Sequence, residues 1–399
     1  MIIEGLLLTD AEAPPEPGWL RVLGDRIADV GSGSPPDRAD AGGTIDGRPA
    51  IVVPGFIDAH VHLPQLECVG CDGLDLLDWL DRVIFPAEAR WAAPSVAGPA
   101  AARSLRRMSA EGTLGFAGYL SSHPAGVEAL AAAHPSMPLR GIAGQVLMDR
   151  GAPASLLGQP LASAAPSSDG RLLPSINPRF AVSCSSDLLA ESARLAGDTR
   201  FVQTHLAESL RECELVAALF PDAANYTEVY DARGLLTPRT LLAHALHLAP
   251  IEWACIARRD AVVVHCPTAN TFLRSGLFDL RAAHDHGVRL ALGSDLAAGP
   301  DLAMPRVARA MIDVAKLRRM TVDPGGPLPS PAEAWTMITR GNADALGLAD
   351  AGRLEIGGAA DLLVLRPPFA ADEHLIGRLL YGWDRRWIET RIVAGALVG

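Results

Sequence analysis

Eight short apolar runs recur between residues 55 and 295: GFIDAHVH (55–62), TLGFAGYL (113–120), RGIAGQVL (140–147), PSINPRFAV (174–182), FVQTHL (201–206), TLLAHAL (240–246), AVVVHC (261–266) and RLALGSD (289–295). Most are separated by stretches rich in Ala, Leu, Glu and Arg, such as DLLAESARLAG and SLRECELVAALF, which have helical character. A strand buried on both faces reads as a continuous apolar run rather than an alternation. Eight such runs alternating with helices predict an α/β fold, a (β/α)8 TIM-type barrel, over residues 54–352. Further strand-like runs flank it: MIIEGLLL, WLRVLG and RIADVG at the start, ADLLVLRP and WIETRIVAGALV at the end. Neither end makes a domain alone. Residues 1–53 and 353–399 are therefore expected to form one composite β-sandwich domain. The segment GAPASLLGQPLASAAPSSDGR (151–171) is rich in Pro, Ser and Ala and reads as a loop.

Hydrophobic residues make up 49 % of the chain, enough for a large core, and the formal net charge of −11 argues against a nucleic-acid partner. No apolar run reaches the ~18 residues needed to span a bilayer, so no membrane partner is expected. The opening MIIEGLLLTDAEAPP carries Glu4 and no basic stretch, so it does not read as a signal peptide. A cytoplasmic protein is expected. The six cysteines are scattered and do not read as a disulfide framework. Cys68 and Cys71 form a lone CVGC with no second pair, which reads as two ordinary thiols.

In such barrels chemistry sits at the C-terminal ends of the strands. The first run ends in His60 and His62; the fifth in His205, with Glu208 just beyond; the sixth carries His244; the seventh ends in His265; the eighth in Asp295. Residues i and i+2 of a strand share a face, so His60 and His62 can grip one metal ion together. A single strand-end histidine is weak evidence. Its strength is in the order: HxH first, His fifth, His sixth, Asp eighth. Three histidines and a carboxylate suit Zn²⁺, with Fe²⁺ the alternative. His123, His134, His247, His284, His286 and His374 read as solvated or structural.

This ordered set resembles the amidohydrolase superfamily. Within it, HVHLPQ (60–65), GLDLLDWLDRVIFPAEAR (73–90), VLMDRGAP (146–153), NPRFAVSCS (177–185), HLAESLRECELV (205–216), HCPTAN (265–270) and GSDLAAG (293–299) resemble the guanine deaminase family. The resemblance covers nearly the whole chain. It implies that His60, His62, His205 and Asp295 hold the metal. Gln65, Arg179 and Phe180 would contact the base, together with His205, Glu208 and Asp295. Glu208 would shuttle a proton, and His244 would hydrogen-bond the reacting water. Binuclear members of the superfamily commonly bridge two metals with a lysine on the fourth strand. The only lysine here is Lys316, so one metal is implied. The expected reaction is hydrolytic deamination of guanine to xanthine through zinc-activated water, in purine catabolism, by a homodimer. A deaminase of a pterin, 8-oxoguanine or a triazine is the alternative reading, and a non-catalytic barrel scaffold a remote one. The chain departs from the family after Asp295, where AAGPDLAMP lacks Ser and Thr.

Overall fold

A computed structural model of the chain describes residues 1–35 and 49–398; residues 36–48 of the expected N-terminal segment, and Gly399, lie outside it. The eight apolar runs become eight parallel barrel strands: Phe56–His62, Thr113–Tyr119, Arg140–Gly144, Leu172–Pro178, Phe201–Leu206, Thr240–His244, Val262–His265 and Arg289–Leu292. They pair in that order, each with the next. The first, second, third, fifth, sixth and seventh are buried along their whole length, as continuous apolar runs require. The 151–171 segment is mostly irregular with one 3₁₀ turn, Ala154–Leu156. The Gln145 side chain ties it down, donating to Pro160 O and accepting from Ala162 N.

Among the described residues no backbone ladder joins the eighth strand to the first. Side chains close the gap instead. Asn342 Nδ2 donates to Ile57 O on the first strand (2.6 Å) and to Leu292 O on the eighth (2.8 Å), while its Oδ1 accepts from Leu292 N (2.8 Å). On the first strand, the buried Asp58 carboxylate accepts from Ser294 N and Ser294 Oγ. Burial pushes its pKa up to about 6, against the lowering effect of those bonds. Asp295 N donates to His60 O at 2.8 Å. The chain passes so close here that a Cβ on Gly293 would lie 2.4 Å from that of His60, so the seam needs glycine.

The two ends of the chain meet in one seven-stranded sheet. Its order is Ala396–Val398, Ile388–Val393, Leu362–Leu365, Ile51–Pro54, Ile2–Leu7, Glu16–Leu23, Arg26–Ser32. Ile51–Pro54 lies between the two halves, antiparallel to Leu362–Leu365 and parallel to Ile2–Leu7. Asp361 links this sheet to the barrel, accepting from Arg171 Nη2 at 2.6 Å and Ala394 N at 2.9 Å. All six cysteines are free. Among the described residues no helix is long and apolar enough to cross a membrane.

Asn342→Ala strips three buried backbone groups of their partner. At about 1 kcal/mol or more per lost bond, the substitution should destabilise the protein by about 3 kcal/mol. Denaturant titration monitored by tryptophan fluorescence should show the loss; an unchanged midpoint would mean that the seam does not depend on this side chain.

Candidate active site

Each site residue is positioned by its own stretch of sequence. The first strand carries His60 and His62 into the barrel mouth, both 2 % exposed. The fifth brings His205, whose Nδ1 is 2.6 Å from Arg179 O. A carbonyl only accepts, so the proton sits on Nδ1 and the Nε2 lone pair is free. The sixth brings His244, whose Nδ1 pairs with Asn270 Oδ1 at 2.8 Å. Glu208 stands one residue before a helix cap. Ser209 caps the helix Leu210–Leu219, accepting from Glu212 N, and Glu212 Oε2 accepts from Ser209 N (3.1 Å) and Glu208 N (2.8 Å). This is the reciprocal Ser-x-x-Glu box, and it fixes the backbone from which Glu208 projects.

The backbone turns sharply at these strand ends. Ala207, His244, Ala245 and Asp295 all have left-handed φ, at 49°, 75°, 51° and 46°. Non-glycine residues adopt this conformation at a cost of order 1–3 kcal/mol each, and here it re-aims side chains at a common point.

That point is a group of ring nitrogens and one carboxylate. His62 Nε2 and His205 Nε2 lie 3.2 Å apart; Asp295 Oδ1 is 3.3 Å from His60 Nε2 and 3.5 Å from His62 Nε2. The donors of His60, His62 and Asp295 lie within 4.8 Å of one another, as do those of His60, His205 and His244. The fit to a metal can be tested on these facts. His60 Nε2, which faces the group, is buried without a hydrogen-bond partner, which is costly unless something else engages the ring. Ligands about 2.0–2.1 Å from one tetrahedral ion are about 3.3–3.4 Å apart, and the observed separations bracket that. Burial, with the charge of neighbouring histidines, holds His62 and His205 well below the usual histidine range, so their rings are neutral, as metal ligands must be. The residues fit a divalent ion.

The two carboxylates beside this group are driven apart. Burial would raise Asp295, but the His60 ring beside it, with His244 and His62, holds it well below the usual carboxylate range. Burial raises Glu208 well above that range, and the charges of Asp295 and Glu212 raise it further. His244 Nε2 sits between them, 3.3 Å from Glu208 Oε2 and 3.9 Å from Asp295 Oδ2.

A narrow cleft opens onto the group, lined also by Gln65, Leu76, Trp79, Leu80, Arg179, Phe180 and Leu273. All nine candidate residues, His60, His62, Gln65, Arg179, Phe180, His205, Glu208, His244 and Asp295, gather at this mouth. His265 does not: its ring stacks on Phe278 with centroids 4.4 Å apart, outside both donor groups. The other histidines are structural or exposed: His123 pairs with Ser155 O, His134 with Leu139 O, His247 with Ser275 O and His286 with Ala282 O, while His374 is exposed. Sequence reasoning missed Glu88, which accepts from both Gln65 and Arg179, and Asn270 and Ser275, which pair with His244 and Glu208. Glu88 sits within the 73–90 motif, yet nothing in its local pattern marks it as buried.

Residues 51–398 match the amidohydrolase family. The guanine deaminase of Escherichia coli K12 is 35 % identical over 333 residues, covering 81 % of this chain and 74 % of that protein. The human guanine deaminase is 30 % identical over 375 residues, covering 87 % and 82 %. Among solved structures, guanine deaminase from C. acetobutylicum with bound guanine in the active site superposes with a TM-score of 0.88 at 27 % identity, covering 100 % of this chain and 99 % of that one.

The geometry sets a metal test. His62→Ala removes the ring that faces both His205 and Asp295. The purified variant should contain at least ~10-fold less divalent metal than the wild type, since losing a ring from the donor group leaves an open, weaker site. Elemental analysis checks this; equal metal content would remove His62 from the ligand set.

Proposed function

Because the chain belongs to the amidohydrolase family, we propose that it hydrolyses guanine to xanthine and ammonia, with one zinc ion held by His60, His62, His205 and Asp295. A zinc ion bound there would lower the pKa of water toward ~7, so that a strong nucleophile exists at neutral pH. The remaining steps belong to side chains. Asp295, held ionised, takes a proton from the attacking water through Oδ2, which faces His244. His244 keeps its Nε2 toward the same place and orients that water. Glu208, held protonated by its surroundings, gives its proton to the ring nitrogen beside the amino-bearing carbon. That carbon becomes electrophilic, water oxygen adds to it, and a tetrahedral carbon results. The proton held by Asp295 then passes to the amino nitrogen, the C–N bond breaks and ammonia leaves, and the hydroxyl proton of the former tetrahedral carbon returns to Glu208 as the new carbonyl forms.

The observation that carries this reading is that base-reading groups and proton-transfer groups share one cavity. Arg179 can donate to the carbonyl oxygen and the imidazole nitrogen of guanine, the pairing by which arginine reads guanine in DNA. Phe180 offers a ring face for stacking, worth about 1–3 kcal/mol per base in single-strand recognition. Gln65 has both a donor and an acceptor. The guanine bound in the C. acetobutylicum relative supports the same ligand for a cavity of this fold.

Glu208→Gln keeps the volume but cannot shuttle a proton. It should retain metal and guanine binding and lose about 10²–10⁴-fold in kcat. Turnover near that of wild type, measured by ammonia release, would take Glu208 out of the mechanism.

Adenine offers an amino group where guanine offers a carbonyl, so donor-only Arg179 would face another donor. Such mismatches cost about 1–3 kcal/mol each and can discriminate by ~10⁴-fold when several coincide. Wild type should therefore favour guanine over adenine in kcat/KM by at least ~10²-fold, and Arg179→Ala should lose guanine turnover without losing metal. Preference for adenine would refute the substrate assignment, and preference for a pterin would shift it to that ring system.

A further inference from the structure

Glu88 is a fully buried carboxylate in the short helix Phe85–Ala89, and the reaction above does not use it. Its Oε1 accepts from Gln65 Nε2 at 2.8 Å and its Oε2 from Arg179 Nη1 at 2.6 Å. Both partners line the cavity that holds Glu208. We propose that Glu88 is a positioning residue that sets the donor–acceptor order of the base-reading edge and thereby makes the cavity selective for a ring carbonyl beside a ring N–H. The inference rests on the reading of this cavity as the guanine site.

Gln65 has two orientations that differ only by exchange of Oε1 and Nε2. A carboxylate accepts and does not donate. The flipped amide would set one acceptor against another in a buried place. Glu88 therefore commits Gln65 Nε2 to itself and leaves Gln65 Oε1 as the group offered to a ligand. The same carboxylate takes one Nη1 donor of Arg179 and leaves its other N–H groups. The Phe85 ring, 5.3 Å from the guanidinium carbon, lies against its face and limits its tilt. The edge so formed presents donors from Arg179 next to an acceptor from Gln65. A C=O next to an N–H is complementary to that order. A ring nitrogen next to an amino group, as in adenine, is its reverse.

Replacing Glu88 by Gln changes the order, not merely the strength. The introduced amide would keep its oxygen toward Arg179, so its nitrogen would face Gln65. Gln65 would flip to accept from it and would offer Nε2, a donor, to the ligand. Adding Gln65→Glu restores an acceptor: one oxygen of the introduced carboxylate accepts from the introduced amide and the other faces the ligand.

The test compares kcat and KM for guanine and for 2-aminopurine in wild type, Glu88→Gln, Gln65→Glu and the double variant. 2-Aminopurine keeps the reacting amino group and lacks both the carbonyl and the ring N–H. In Glu88→Gln, the ratio of kcat/KM for guanine over 2-aminopurine should fall by at least ~10-fold, chiefly through a raised KM for guanine. Zinc content should stay at the wild-type level. In the double variant the ratio should recover by at least ~10-fold relative to Glu88→Gln. A role confined to holding the fold would lower both substrates alike and would not be rescued by a second substitution. A ratio within ~3-fold of wild type in Glu88→Gln, or a double variant no better than the single one, overturns the proposal. Should Glu88→Gln fail to fold, the folded double variant decides, since a retained guanine preference supports the proposal and a lost one overturns it. Wild type that ignores guanine and deaminates a pterin would defeat the guanine assignment alone. The same four proteins would then be compared on that pterin, which carries the same carbonyl and N–H, and on an analogue lacking them. Wild type that prefers 2-aminopurine overturns the proposal directly.

Discussion

Everything at the mouth of this barrel depends on a junction between its first and eighth strands that hydrogen-bonded side chains complete. Asn342 spans Ile57 and Leu292, Asp58 receives both hydrogens of Ser294, and Asp295 N reaches His60 O. The candidate metal-binding group is assembled across this junction: His60 and His62 come from one side and Asp295 from the other. Had a regular ladder run on to residue 295, the carboxylate would have followed strand geometry. The left-handed turn at Asp295 instead swings it to 3.3 Å from His60. The same buried polar bonds that close the barrel thus set the ligand distances.

Burial then gives opposite characters to two carboxyl groups within reach of one histidine. Low dielectric penalises any isolated charge. Asp295 escapes the penalty because three histidines surround it, and it stays ionised. Glu208 faces the charges of Asp295 and Glu212, which the Ser275 hydroxyl at 3.4 Å and the charge of Arg179 do not offset, so it holds its proton. An acceptor and a donor of protons are thereby created from the same functional group, a division of labour set by surroundings alone.

Much of this was legible in the chain. The eight strands appear as apolar runs because burial on both faces removes alternation, and most of their observed ends fall within three residues of the runs read from the sequence. The site residues were legible because a barrel gathers its strand ends, so residues far apart in sequence could be placed together by topology alone. What escaped notice was everything whose meaning is purely tertiary. Glu88 lies in a helix among other charged residues, and only the approach of Gln65 and Arg179 shows that it is buried and paired. Asn342 and Asp58 look like ordinary polar residues near element ends, because no local pattern records that a ladder is missing beside them. His265 shows the limit of strand-end position alone: it ends a barrel strand as His60 and His62 do, but its ring is taken up by Phe278.

The shared terminal sheet bears on how the chain can be made. Ile51–Pro54 is buried along its length, and one of its two edges pairs with Leu362–Leu365. During synthesis that edge emerges hundreds of residues before its partner and cannot be paired until Leu362–Leu365 has left the ribosome. Asn342, which fastens the barrel, is also late. At about 5–20 residues per second, roughly 15 seconds or more separate the two halves of the sheet. Through that interval an apolar strand edge stands open, the kind of surface that invites pairing with other chains. The sheet can therefore close only after Leu362–Leu365, about 300 residues downstream of Ile51–Pro54, has been made.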